Sequence, residues 1–158
     1  MAARTVKDSQ VYMTELVLPN DTNQLGNLLG GRLMHWIDIA AAIAAARHAG
    51  RVCVTASLDE LNFHHPIRLG EIVILQASVN RAFNTSMEVG VLVTAQNLAG
   101  GTPRRANNAY LTFVAVDEHG TPAAVQPIVA ETAEEKRRYE EALERRQIRL
   151  ARRNKGNQ

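Results

Sequence analysis

Leu33 to Ala46 reads LMHWIDIAAAIAAA, a fourteen-residue run whose only polar members are His35 and Asp38. Such a run predicts a helix apolar on nearly every side, ending near Gly50 as a C-cap glycine. Elsewhere the period changes. From Ser86 to Gln96 the residues Met87, Val89, Val91, Val93 and Ala95 are apolar and those between them mainly polar, the alternation of a half-buried antiparallel strand. Tyr12 to Leu18, Arg51 to Phe63, Glu71 to Asn80 and Arg105 to Val116 read as further strands. Pro66 and Gly70, the loop Asn97 to Pro103 and the turn residues Asp117 to Pro122 punctuate them. The pattern predicts an α+β domain in which one helix lies against a five-stranded antiparallel sheet. A single small curved sheet cannot fully cover a helix apolar all round, so a second subunit is expected to help.

After Pro127 the composition shifts. Thr132 and Glu135 have the spacing of a capping box, and a charged helix follows with Tyr139, Ala142, Leu143 and Leu150 as a thin apolar stripe. Of the 18 Lys and Arg in the chain, nine fall in residues 131–155 against six acids there, leaving nine bases and ten acids in the remainder. The basic balance therefore belongs to the tail. Two segments are expected, 1–130 as the folded domain and 131–158 as a charged helix and tail. From Arg145 onward six bases occur without an acid, and this run is read as an exposed or subunit-bridging helix face; no nucleic-acid partner is expected.

Length and cysteine content fit one domain. At 158 residues the chain can bury about 70% of its unfolded surface without disulfides or metal. The single Cys53 excludes an intramolecular disulfide and suits a reducing compartment. The segment MAARTVKDSQ has no apolar leader region, and the longest apolar run is too short and too polar to span a bilayer, so a cytoplasmic location without membrane association is the expectation.

Asp38 carries the chemistry. Its helical neighbours Met34, Ala41 and Ala42 supply no cation, and a carboxylate buried without a partner is costly. Two readings stand: a surface residue or satisfied core acid, or a group kept for a task. The segment Pro19 to Gly31, PNDTNQLGNLLGG, bears on the choice, because its three Gly and three Asn run straight into the helix. Gly30 and Gly31 are thereby expected near the helix N-terminus, where unpaired amide N–H groups can polarise a carbonyl.

The run Pro19, Asp21, Asn23, Gly26, Gly30, Gly31, Met34 and Asp38 resembles the loop and central helix of hotdog-fold acyl-CoA thioesterases of the bacterial YciA and eukaryotic brain acyl-CoA hydrolase type. Three further blocks resemble the same family in order: Val54 to Glu71, Asn84 to Val89, and Leu111 to Asp117. Together they span roughly residues 10 to 130. The resemblance implies a hotdog fold, a five-stranded antiparallel sheet wrapped around one long central helix, and hydrolysis of acyl-CoA to fatty acid and coenzyme A. It implies a thioester carbonyl held by amides around Gly30 and Gly31, with Asp38 as general base or nucleophile. Asn23 matches a position that helps place water or carbonyl, in active sites shared across a dimer; local sequence alone favours a turn-forming Asn in an Asx motif, and the resemblance tips the reading to the site. Assembly is implied to a dimer and a hexamer, a trimer of dimers.

Thr55 and Ser57 are candidates for lining the substrate pocket, and Arg81, Asn84, Thr85 and Ser86 for contacting coenzyme A, with Arg68, Arg104 and Arg105 as alternative phosphate contacts. Coenzyme A enters only as part of substrate and product; no cofactor and no metal are expected. His64 and His65 are adjacent and point opposite ways in a strand, and no Gly-x-Ser-x-Gly elbow is present. Cys53, in an apolar strand without a base, is not expected to be a nucleophile. Two other functions remain open: a hotdog hydratase or dehydratase acting on enoyl thioesters, and a non-catalytic acyl-CoA sensor.

Overall fold

The computed structural model describes residues 1–156, with only the backbone of Glu60; the last two residues of the expected 131–158 tail lie outside the described residues. Strands β2 (Val11–Leu16), β3 (Cys53–Phe63), β4 (Glu71–Ala82), β5 (Ser86–Asn97) and β6 (Arg104–Ala115) form one antiparallel sheet in the order β2-β4-β5-β6-β3. A two-residue β1 (Arg4–Thr5) pairs in parallel with β7 (Ile128–Val129), and a four-residue helix α1 (Val6–Ser9) follows β1. These short N-terminal elements have no periodic signature in the sequence.

Helix α2 (Gly30–Ala49) lies along one face of the sheet. The alternation read in β5 holds: Met87, Val89, Val91, Val93 and Ala95 are all buried, as are Val73, Leu75, Ala77 and Val79 of β4 and Leu111, Phe113 and Ala115 of β6. Against them α2 turns Leu33, Trp36, Ile37, Ala40, Ala41, Ala44 and Ala45, at helical spacing. The four alanines are small enough to bring the helix close to the sheet, and the packed interior leaves little room for volume change. Gly50 ends the helix at φ +68°, its N–H donating to Ala46 O at 2.8 Å. Arg4 donates to the carbonyls of Arg47 and His48 at 2.7 and 2.9 Å, a cation on the negative end of the helix.

As expected for a single sheet, the helix is not covered on all sides within one chain. Met34, His35, Ile39 and Ile43 are exposed and Asp38 and Ala42 half-buried, so one stripe of α2 faces out of the chain. Beside it runs β3, an edge strand of the sheet, with Val54, Leu58 and Phe63 exposed. One sheet covers one side of a helix, and the apolar remainder stays open.

Helix α3 (Ala133–Gly156) starts with the expected reciprocal cap: Glu135 N–H donates to Thr132 Oγ1 at 3.1 Å and Thr132 N–H to Glu135 at 3.3 Å. It is more than an exposed charged face. Ala142 is fully buried, Arg145 donates to Glu88 at 2.7 and 3.0 Å, and Arg149 donates to Asp59 at 2.7 Å, which straps α3 to the sheet face opposite α2. No helix among the described residues is long and apolar enough to cross a membrane.

Candidate active site

The loop before α2 is held by Asp21, a residue to which sequence reasoning gave no separate role. Its carboxylate accepts from Leu18 N–H at 2.9 Å and pairs with Arg32 at 3.2 Å, while its backbone oxygen accepts from Leu29 N–H at 2.9 Å. Leu29 is the N-cap and offers no side-chain cap. The first amide to bond back is that of Leu33, to Leu29 O at 3.1 Å, so the N–H groups of Gly30, Gly31 and Arg32 precede the helical ladder. Gly30 and Gly31 thus open the helix as expected. Their φ angles are not in the left-handed region; within this loop that conformation belongs to Gly26, at φ +77°.

Asn23 is an Asx turn in this chain: Oδ1 accepts from Leu25 N–H at 2.9 Å and Asn27 N–H at 3.1 Å. The side chain is exposed, and its Nδ2 has no partner among the described residues. The turn thereby fixes the amide group with its donor end outward.

Asp38 has a partner that sequence reasoning missed. Thr55 Oγ1 donates to Asp38 Oδ1 at 2.7 Å, and the carboxylate is half-buried in the open apolar stripe of α2. The expectation of a fully buried, unpartnered acid is corrected accordingly. One carboxylate oxygen is held and the other has no partner among the described residues. Thr55 reaches Asp38 because it pairs with Phe113, itself opposite Met87, and cross-strand partners share a face; this is the α2 face. A bulge follows immediately. The register shift between Thr55 and Ser57 puts Ser57 opposite Thr112, whose neighbour across β5 is Glu88, on the α3 face. Ser57 is therefore separated from Asp38, against expectation.

The β4–β5 turn carries Asn84 and Thr85, with Ser86 opening β5. Ser86 pairs with Val114, which pairs with Val54, so the turn lies at the Thr55 end of the sheet, two strand spacings or roughly 10 Å away. Asn84 is exposed and keeps negative φ, so the turn does not rely on a left-handed residue. Arg81 is engaged elsewhere: its guanidinium stacks on the Tyr139 ring at 4.0 Å and donates to Tyr139 O at 3.2 Å. Arg104 is bound to Glu71, whose carboxyl this guanidinium holds below its usual range, while Arg68 and Arg105 are exposed. The Cys53 thiol is pushed by burial to about 11, which leaves it a thiol at neutral pH. His64 and His65 are both exposed at the end of β3.

Along α2, Gly31 and Asp38 are seven residues apart, about 10 Å of helix rise, and both lie on its open stripe. Within one chain the amide donors and the carboxylate do not converge on a single atom.

A five-stranded antiparallel sheet curled along one long helix is the hotdog fold. The Thioesterase superfamily profile matches residues 25–101. The uncharacterized acyl-CoA thioester hydrolase YkhA of Bacillus subtilis is 42% identical over 90% of this chain and 83% of its own length. Acyl-coenzyme A thioesterase 11 of Mus musculus is 44% identical over 90% of this chain, which spans only 24% of that protein; the chain spans 24–37% of the length of the mammalian relatives it matches here. Among solved structures, an acyl-CoA hydrolase of Staphylococcus aureus in complex with butyryl coenzyme A superposes with a TM-score of 0.93 at 38% identity, covering 99% of this chain and 95% of that one. An apo-hexameric acyl-CoA thioesterase superposes with a TM-score of 0.93 at 40% identity, covering 96% and 97%. Structures of the Staphylococcus aureus hydrolase also exist with alanine in place of an Asn, an Asp and a Thr, spaced 15 and 17 residues apart. This chain belongs to the thioesterase superfamily.

Proposed function

We propose that this protein hydrolyses acyl-CoA thioesters to the free acid and coenzyme A, in active sites shared between two copies of the chain. The observation that carries the reading is the Asp38 carboxylate, fixed through one oxygen by Thr55 and free at the other, in the middle of an uncovered apolar face. Asn23, Asp38 and Thr55 also follow one another at the spacings of 15 and 17 residues that separate the three replaced residues of the Staphylococcus aureus hydrolase.

Geometry explains the sharing. Reacting atoms must come within about 3–3.5 Å, whereas the Gly31 amide and Asp38 of one chain are about 10 Å apart along the axis. Two α2 helices packed antiparallel about Met34 and His35, near the midpoint, bring each N-terminus opposite the other copy's Asp38. The same packing covers Ile39. Edge strand β3 extends the contact, and further association to a hexamer, a trimer of dimers, completes the assembly.

In such a site the thioester oxygen lies against the Gly30 and Gly31 amides of one copy, beside its outward Asn23 amide. Asp38 of the other copy either removes a proton from water as that water attacks the carbonyl carbon and passes it to the departing sulfur, or attacks that carbon itself to form a mixed anhydride. In the second case water then hydrolyses the anhydride to the free acid, while the thiolate takes a proton released from that water. Negative charge collects on the oxygen facing the amides, the C–S bond breaks, and the departing sulfur takes a proton. Asn84, Thr85 and Ser86, in a turn at the Thr55 end of the sheet, are the proposed contacts for the coenzyme A arm. A thiol-release assay over short, medium and long acyl-CoAs tests the reading: thiol is expected from at least one, and Asp38→Ala lowers the rate by orders of magnitude in a folded protein. A wild-type protein that binds every member and cleaves none defeats it.

A further inference from the structure

We propose that the Asp21–Arg32 ion pair keeps the start of α2 open for the reacting carbonyl: Arg32 holds the Asp21 carboxylate off the helix amides and cancels its charge. The inference rests on the reading of Gly30 and Gly31 as the amides that receive the thioester oxygen. Arg32 is then a positioning residue, acting through Asp21 and not on the substrate.

The fold places an acid where it could block the site. Asp21 is buried, and its backbone oxygen accepts from Leu29 N–H at 2.9 Å, which sets the residue beside the N-cap of α2. No side chain caps this helix, and its first turn contains no acid. A carboxylate in the preceding loop is the usual partner for such free N–H groups, drawn there by hydrogen bonding and by the positive end of the helix dipole. Asp21 is engaged otherwise. One carboxylate oxygen accepts from Leu18 N–H at 2.9 Å, and the other pairs with Arg32 Nε at 3.2 Å.

Arg32 occupies a position that costs the helix stability. It is the third residue of α2, where a cation opposes the dipole, and the ion pair with Asp21 offsets that cost. The pairing leaves the Gly30 and Gly31 amides uncapped. Charge matters as much as position: the thioester oxygen is neutral in the bound substrate and negative in the transition state, so an uncompensated carboxylate nearby raises the barrier and changes binding little. The coenzyme A phosphates lie at the far end of the pantetheine arm, beyond the screening length of about 8–10 Å at ordinary salt.

The experiment measures kcat and KM for thiol release by the full chain, on an acyl-CoA that the wild type cleaves. Arg32→Ala is expected to lower kcat by about tenfold or more while KM stays within about threefold. Arg32→Lys, which keeps a cation on Asp21, retains most of the rate. Asp21→Asn/Arg32→Ala keeps an oxygen for Leu18 N–H, removes the charge drawn to the helix start, and recovers most of what Arg32→Ala loses. The Arg32 side chain is 40% exposed, so its variants are expected to fold, and Arg32→Gln gives the same reading should Arg32→Ala not do so. An unchanged kcat in Arg32→Ala, or a double variant as slow as the single one, overturns the inference and leaves the thioesterase reading standing. A raised KM with kcat kept assigns Arg32 to the coenzyme A phosphates and overturns it equally. Absence of hydrolysis by the wild type on every acyl-CoA overturns the thioesterase reading, and the role of the pair with it.

Discussion

Gly90 and Asn80 occupy neighbouring strands so closely that a Cβ on Gly90 would come within 2.8 Å of Asn80 Nδ2. Asn80 cannot simply swing aside, because it is 2% exposed and its Nδ2 donates to Glu88 at 3.0 Å. Gly90→Ala is therefore expected to cost about 1–3 kcal/mol of stability, measured by denaturant unfolding, with the loss reduced in Asn80→Ala/Gly90→Ala. Equal losses with and without Asn80 would show that the contact is not the cause.

The same Glu88 anchors α3. It is 1% exposed and bound by two guanidinium nitrogens of Arg145, which also lies 3.6 Å over the Tyr110 ring. Arg145→Ala leaves a buried carboxylate without its cation and is expected to cost about 3–5 kcal/mol, whereas Arg145→Met/Glu88→Gln recovers much of that. A double variant no more stable than Arg145→Ala, by the same unfolding measurement, counts against this account.

A site shared between copies predicts complementation. Asn23→Ala and Asp38→Ala are each expected to be nearly inactive in thiol release. Co-refolded in equal amounts, half of the dimers are mixed and each carries one intact site, restoring about a quarter of wild-type activity. A mixture as inactive as its parts places Asn23 and Asp38 in the same chain's site.

Thr55→Ala frees the Asp38 carboxylate without removing it. Loss of orientation is expected to lower kcat by about 10–100-fold with a smaller change in KM, and Thr55→Ser should restore most of the rate because the hydroxyl donor is kept.

His48 is fully buried at the end of α2, with Nε2 2.7 Å from Gln126 O and Nδ1 without a partner. Burial lowers its pKa below the usual imidazole value and outweighs the pull of the Gln126 carbonyl. A folded-state pKa below the unfolded one means that the unfolded chain takes up the proton first. The contribution to stability is complete above about pH 6.5 and is lost as pH falls through the lowered pKa. The midpoint of thermal unfolding should drop between pH 7 and pH 5 more steeply in the wild type than in His48→Gln.

Much of this protein is written in local order. Alternation along β5, the alanine-rich α2 with Gly50 after it and the Thr132–Glu135 cap are relations between residues two to four apart, and such relations fold as they read. The glycines at the start of α2 and the carboxylate two turns later are equally legible, since a helix fixes both by counting. Other relations had no local signal. Thr55 meets Asp38 and Ser57 does not, because one extra residue in β3 turns successive hydroxyls to opposite faces, and a bulge is set by pairing with β6. Arg145 and Arg149 look like part of a solvated basic run until Glu88 and Asp59 stand beneath them. The chain order determined which chemistry is present and the elements that bear it; only the packing of distant segments decided which groups meet, because strand register and helix docking depend on surfaces that exist only once the sheet has formed.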